Sequence, residues 1–185
     1  MLTDRHNDPN LPKIELVLLS AAVLDALNAG AIDRASAAFG RPLPPSFLDH
    51  KDLWGYRIAQ VREDPGVLRW LVRAVVDSSS GAVVGHAGFH GPPDAHGMVE
   101  IGYTIEPACR RRGYARATVA ALIDYVASEP GVTTVRASIS PDNIASLATI
   151  RPFGFVKTGE QMDEIDGLEF IFERESRGKN TYSKR

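Results

Sequence analysis

The sequence of 185 residues contains one cysteine, Cys109. An intrachain disulfide is excluded, and the fold must be held by its core rather than by covalent staples. No apolar run reaches the roughly 20 residues that crossing a bilayer requires. The most hydrophobic stretch, "IELVLLSAAVLDALNAGA" after Lys13, superficially resembles a secretory leader, but Glu15 and Asp25 interrupt it and Asp4 and Asp8 precede it. It reads as a strand followed by a helix. Excess positive charge is also missing. Against 21 Lys and Arg stand 23 Asp and Glu, a formal net charge of -2, which argues against a general nucleic-acid binder because phosphate backbones select a basic face. No G-x-x-x-x-G-K-[ST] segment is present, so a phosphate-loop hydrolase is set aside. His86 and His90 share a strand face near His96, yet no third ligand completes a zinc pattern. The expectation is a cytoplasmic protein with no metal, no membrane partner and no nucleic-acid partner.

What is present suits one globular domain. The 44% hydrophobic content supplies a sizeable core for a single domain spanning 1–185, with a flexible leader at 1–12 and a flexible tail at 175–185, where "SRGKNTYSKR" carries no apolar pattern. "KIELVLLS" predicts a strand, with Ser20 capping the helix that follows. A second helical piece, "AIDRASAAF", ends at Gly40. After "RPLPP", Ser46 opens an amphipathic helix carrying Phe47, Leu48, Leu53, Trp54, Ile58 and Val61, which Asp64-Pro65-Gly66 stops.

From Leu68 the period changes to that of strands. "LRWLVRAVVD" and "AVVGHAGFH" form a hairpin through Ser78-Ser79-Ser80-Gly81. "MVEIGYTI" then alternates, with Val99, Ile101, Tyr103 and Ile105 on one face and Glu100, Gly102 and Thr104 on the other. A long Ala-rich helix follows Gly113, "TTVRASIS" is the next strand, and Pro141-Asp142-Asn143 start the helix "IASLATIRPF". Two last strands, "FVKTGE" and "LEFIFER", flank an acidic loop at 161–167. This order predicts an α/β (α+β) fold: a mixed, mostly antiparallel central sheet with helices on both faces.

Three arginines at the mouth of a helix are unusual, because the helix dipole disfavours cations there. They make sense if an anion occupies the site. Free N-H groups and the positive dipole end bind phosphate, and Gly113 lets the backbone approach closely. Preceded by an alternating strand and followed by an Ala-rich helix, Arg110-x-x-Gly113-x-Ala115 is a much stronger signal than the bare pattern.

"VEIGYTIEPACRRRGYARATVAALIDYV" followed by "SPDNIASLATIRPFGFVKTGE" resembles the acyl-CoA binding motifs of the GNAT N-acetyltransferase superfamily, over about residues 68–174. It looks most like the RimJ/RimL-like branch that acetylates ribosomal-protein N-termini, because Asn143-x-x-Ser146 precedes "FGF". The resemblance implies acetyl-CoA as co-substrate. Its pyrophosphate would be held by backbone amides of Arg111, Arg112, Gly113, Tyr114 and Ala115, with Arg110 and Arg112 nearby. The pantetheine arm would pair with Thr104 and Ile105 between two splayed strands, the Ile105 N-H would polarise the thioester carbonyl, and Asn143 would contact the coenzyme.

Glu100 corresponds to the glutamate that several relatives use as general base, deprotonating an amine that then attacks the thioester. Where many relatives carry a tyrosine to protonate the leaving thiolate, this chain has Ile150, and Ser146 is the replacement candidate. The implied activity is acetyl transfer to a primary amine, a small molecule or a protein N-terminus, by direct attack in a ternary complex. The alternative is a non-catalytic acyl-CoA sensor or scaffold of the same fold. Asp163, Glu164 and Asp166 of the acidic loop would favour a cationic acceptor, and the sequence admits a homodimer.

Overall fold

The computed structural model describes residues 9–163 and 167–177. The strands are β1 (Ile14–Leu18), β2 (Arg73–Asp77), β3 (Val83–Phe89), β4 (Met98–Ile105), β5 (Thr134–Ile139), β6 (Val156–Asp163) and β7 (Gly167–Glu175). The helices are α1 (Ala21–Asn28), α2 (Ile32–Phe39), α3 (Lys51–Glu63), α4 (Tyr114–Ala127) and α5 (Ile144–Ile150). The strands make one sheet in the order β1-β2-β3-β4-β5-β7-β6. Every pairing is antiparallel except β4 with β5, as the mostly antiparallel reading required.

Every residue of β2 and β3 is buried, because helices cover both faces of the sheet there. Alternation in β2 sorts the two cores. Ala74 and Val76 pack with Leu24, Phe47, Trp54 and Ile58 beneath α1 to α3, while Val75 joins Val119, Leu122 and Ile123 of α4. None of the helices among the described residues is long and apolar enough to cross a membrane.

Local chemistry sets the element ends. The Val23 N-H donates to Ser20 Oγ at 3.4 Å, and α2 stops at Gly40, which takes φ 81°. The helix expected from Ser46 begins instead at Lys51, because Pro44 and Pro45 lead into a 3₁₀ turn, Pro45–His50. The Trp54 indole N-H locks that turn by donating to the Phe47 carbonyl at 2.5 Å. The strand expected from Leu68 starts only at Arg73. Residues Pro65–Trp70 form another 3₁₀ turn, capped by Asp64 Oδ1 accepting from the Gly66 N-H at 2.8 Å. The Arg73 guanidinium takes the carbonyls of Leu71, at 2.8 Å, and Arg69. Carbonyls spent on a guanidinium are not available to a sheet ladder.

The C-terminal half departs from expectation in three places. The helix begun at Asn143 ends at Ile150, and Arg151–Phe153 tighten into a 3₁₀ turn before Gly154. The acidic loop is shorter than expected: Gln161, Met162 and Asp163 belong to β6, Gly167 to β7, and Asp163 pairs with Gly167. Glu164 and Asp166 lie outside the described residues. The expectation of a flexible tail from 175 does not hold for Ser176, whose hydroxyl is buried and donates to the Val132 carbonyl at 2.7 Å. Residues 178–185 lie outside the described residues, as do 1–8 of the leader. Its last part, by contrast, packs against the turn before α4. A Cβ on Gly113 would lie 2.9 Å from Pro12 Cδ and 3.4 Å from Leu11 Cδ2.

One irregularity of the sheet creates the site. Pairing between β4 and β5 covers only Met98–Glu100 against Thr134–Arg136. Beyond it, β4 continues to Ile105 and β5 to Ile139 without pairing to each other. The two strands diverge into a gap.

Candidate active site

The turn into α4 is built to leave backbone N-H groups open. Gly113, the residue just before α4, has φ 88° and offers no side-chain cap, whereas Ser20 caps α1 and Asn143 caps α5. Two residues earlier, Arg111 takes φ 60°, and no other described non-glycine residue has a positive φ. That conformation costs about 1–2 kcal/mol for a residue with a Cβ. Left-handed residues on either side of Arg112 wind the backbone tightly, and left-handed conformations in such turns are what anion-binding nests are made from. Above the turn lies a cavity of about 950 Å³ lined by Arg110, Arg111, Arg112 and Arg116, with Asn10 and Leu11 of the leader along its rim.

The structure refines what the individual residues of this turn do. Tyr114 directs its side chain away from the cavity: it is buried and its hydroxyl donates to Asp77 at the end of β2, so only its backbone faces the turn. Asp77 also accepts from the Ser79 hydroxyl at 2.5 Å and from the Ser79 and Ser80 N-H groups. These bonds, the Ser79 hydroxyl first, hold its carboxyl well below the usual range. The first residue of α4 is thereby tied to the β2-β3 turn. Arg112 stacks over the Tyr114 ring at 5.7 Å, and Arg110 Nε donates to the Ile105 carbonyl at 3.0 Å.

Hydrogen-bond phase along β4 decides which backbone groups face the gap. The His90 N-H donates to the Glu100 carbonyl, and the Glu106 N-H to the Val84 carbonyl, both at 2.9 Å. An antiparallel ladder alternates, so Glu100, Gly102 and Thr104 spend their backbone groups on β3, while Ile101, Tyr103 and Ile105 turn theirs toward the side from which β5 has diverged. Thr104, expected to pair there with Ile105, lines the cavity but points its backbone to β3. Asn143 Oδ1 accepts from the Ser146 N-H at 3.1 Å, which spends that oxygen on the helix cap. Ile150 is 1% exposed and belongs to the core beneath α4.

On the other side of the gap is a second cavity, of about 540 Å³. Glu100, Asp163 and Glu169 line it, and among the described residues no lysine or arginine does. His90 joins them, its Nδ1 3.8 Å from Glu100 Oε1. Burial, only partly offset by Glu100, pushes the His90 imidazole below its ordinary range, so it is neutral at pH 7 and its contact with Glu100 is not an ion pair. Arg57 of α3 fixes the end of β3 by donating to the His90 carbonyl at 2.7 Å. Glu169 accepts from Gln161 Nε2 at 2.9 Å across the β6-β7 hairpin. The His90 to Glu100 proximity was missed in the sequence, although counting back from the Gly91 turn puts them opposite each other.

Two buried polar atoms at the gap have no protein partner, the Tyr103 hydroxyl on β4 and Ser138 Oγ on β5. Such groups cost roughly 1–3 kcal/mol each unless a ligand or water satisfies them. An uncapped helix start, unspent N-H groups on β4 and orphaned hydroxyls together fit a phosphate-bearing thioester threaded between the strands. Among the described residues, no cluster of three His, Cys, Asp or Glu side chains is disposed to hold a metal.

Comparison with known proteins agrees with this geometry. Residues 14–156 match the family model of the acetyltransferase (GNAT) domain. The uncharacterized N-acetyltransferase YjdG of Bacillus subtilis is 34% identical over 82 residues, which are 44% of this chain and 49% of that protein. The chain thus spans about half the length of the curated relatives it matches. The microcin C7 self-immunity acetyltransferase MccE, solved with acetyl-CoA and AMP, shares the fold at a TM-score of 0.62 and 19% identity, over 92% of this chain and 94% of that one. A ribosomal-protein-S5-alanine acetyltransferase from Vibrio fischeri does so at 0.60 and 17%, over 88% and 92%. With its model matched over most of the length and its fold in common, the chain belongs to the GNAT acetyltransferase family.

Proposed function

We propose that the protein is an N-acetyltransferase that moves an acetyl group from acetyl-CoA to a primary amine, by direct attack with both substrates held in one cleft. The observation that carries this reading is the gap between β4 and β5, which joins an arginine-lined cavity to a carboxylate-lined one. Phosphates belong on the first side, where the turn before α4 leaves N-H groups open and Arg110, Arg111 and Arg112 add charge. The pantetheine arm extends along the free backbone edge of β4, at Tyr103 and Ile105. An Ile105 N-H aimed into the gap is placed to polarise the thioester carbonyl.

The amine enters from the second side. Glu100 accepts a proton from the incoming ammonium, directly or through a water, and neutral His90 beside it offers a route for that proton to solvent. Three carboxylates favour a cationic acceptor, and both a small polyvalent amine and a protein N-terminus satisfy that chemistry. Likeness to the microcin immunity enzyme and to the S5-alanine acetyltransferase is one of fold, so neither acceptor transfers to this chain.

A second reading is an acyl-CoA binding module without transfer activity, favoured by the apolar Ile150 where many relatives carry a tyrosine. Free CoA release in the presence of amines, amino-acid termini and aminoglycosides separates the two. The transferase reading expects release with at least one amine class and a fall of about 10² or more in kcat for Glu100→Gln, at unchanged acetyl-CoA affinity. Tight acetyl-CoA binding with no acceptor turned over would leave the module reading.

A further inference from the structure

Transfer must take place where the two cavities meet, and the residues that line both are Tyr103, Asn143 and Ser146. Asn143 brings an amide, with no acidic proton, and its oxygen is committed to the α5 cap. Ser146 brings an aliphatic hydroxyl, a far weaker acid than a phenol. Tyr103 brings a phenol whose oxygen is shielded from solvent and makes no hydrogen bond of ordinary geometry, with the hydroxyls of Ser146 and Thr149 near enough for a weak interaction only. It projects from the strand whose free edge borders the gap.

The geometry points to Tyr103 as the catalytic acid of this enzyme, giving its phenolic proton to the coenzyme sulfur. The inference rests on the transferase reading above. It also accounts for Ile150: a strand tyrosine fills the role that the apolar helix position cannot. As the amine nitrogen bonds to the carbonyl carbon, the C-S bond breaks and its electron pair passes to sulfur. The Tyr103 O-H proton moves to that sulfur and yields the CoA thiol. The nitrogen sheds its extra proton to Glu100, which has by then passed the ammonium proton to solvent by way of His90, and the phenolate regains a proton from solvent through the cavity that Ser146 lines. Burial pushes the phenol above its ordinary range, so it stays protonated through neutral pH and holds a proton when the thiolate forms. A buried phenol with no ordinary protein acceptor is thus a donor for the acceptor that the reaction creates.

The test uses the full chain with whichever amine gives the fastest CoA release. Tyr103→Phe should lower kcat by at least about 10²-fold, the usual range for loss of an acid-base group, with the acetyl-CoA dissociation constant unchanged. Ser146→Ala should cost far less. A ring-fluorinated tyrosine at position 103, more acidic but of the same shape, should move the alkaline limb of the kcat-pH profile to lower pH, and it keeps the question open to experiment if the Phe variant folds poorly. Wild-type kcat in Tyr103→Phe, an alkaline limb that fluorination does not move, or a loss carried by Ser146→Ala would each overturn the assignment while leaving the transferase reading intact. A wild-type chain that binds acetyl-CoA and acetylates nothing overturns both.

Discussion

The two sides of the cleft are built in opposite ways. The phosphate side comes from one unbroken stretch, Arg110 to Ala115, with four arginines along its cavity and no carboxylate lining it among the described residues. The acceptor side draws His90 from just past the end of β3, Glu100 from β4, Asp163 from β6 and Glu169 from β7, and reverses the charge. A site made from consecutive residues depends on local backbone conformation. One made from four strands depends on sheet order and on the packing beneath it. Substitutions on the first side should therefore act through the turn itself, and on the second through charge and through the core.

The largest effect is expected where one backbone position decides everything. Gly113→Asp places a side chain in a left-handed conformation, drives its Cβ toward Pro12, and adds a negative charge where phosphate is to bind. Calorimetry should show acetyl-CoA binding abolished. Gly113→Ala separates the causes, because it shares the backbone strain and the collision without the charge. It should retain weakened binding, and equal losses in both variants would assign the whole effect to conformation and none to the anion site.

The acceptor side rests on the core under α1 to α3, and that core contains a titratable group. His86 is 5% exposed among Phe47, Trp54 and His50, with Nε2 unpartnered. Burial first, and His50 second, push its imidazole down to about 3. Between about pH 6.5 and 3 the unfolded chain takes up a proton that the folded chain refuses, so stability falls as pH falls, by on the order of 5 kcal/mol across the interval. The Asp77 anchor of the phosphate side also weakens on acidification, but only below about pH 4, because its stabilisation is complete above the unfolded carboxylate range. At pH 5 the two halves should part company. Urea unfolding at pH 7 and pH 5 should show a larger loss for the wild type than for His86→Leu, which fills similar space without titrating. Parallel losses would mean that His86 is already satisfied in solution.

Legibility in the sequence follows the same division. The turn at Arg110 to Ala115, the Ser20 cap and the Gly40 stop were readable because each is settled within a few residues. Alternation in β4 put Glu100 on the face that lines the acceptor cavity. The side-chain direction of Tyr114 was not readable, because it depends on Asp77, 37 positions earlier. The strand start at Leu68 failed for a related reason: Arg73 captures the carbonyls before it. Asp163 and Glu169 come near Glu100 only through the order β5-β7-β6, which no local pattern encodes. Glu169 falls within the strand stretch "LEFIFER" beside the acidic loop, and the sheet makes it part of a cavity wall.

The smallest effect concerns the acceptor carboxylates themselves. Asp163 and Glu169 sit on a hairpin at the sheet edge, where water screens charge, so each contributes no more than about 1 kcal/mol to holding a cation. The double variant Asp163→Asn, Glu169→Gln keeps shape and hydrogen-bonding capacity. With a cationic amine at low ionic strength, its KM should rise by roughly threefold to tenfold, on that energy scale. Raising salt to about 1 M shortens the screening length to roughly 3 Å and should bring the two enzymes together, chiefly by weakening the wild type. The acetyl-CoA KM should not respond, because the phosphate side owes nothing to this hairpin. A KM difference that persists at high salt would mean that the carboxylates grip the amine by direct hydrogen bonds. No difference at any salt would remove charge from acceptor choice and leave it to the shape that α1 to α3 impose.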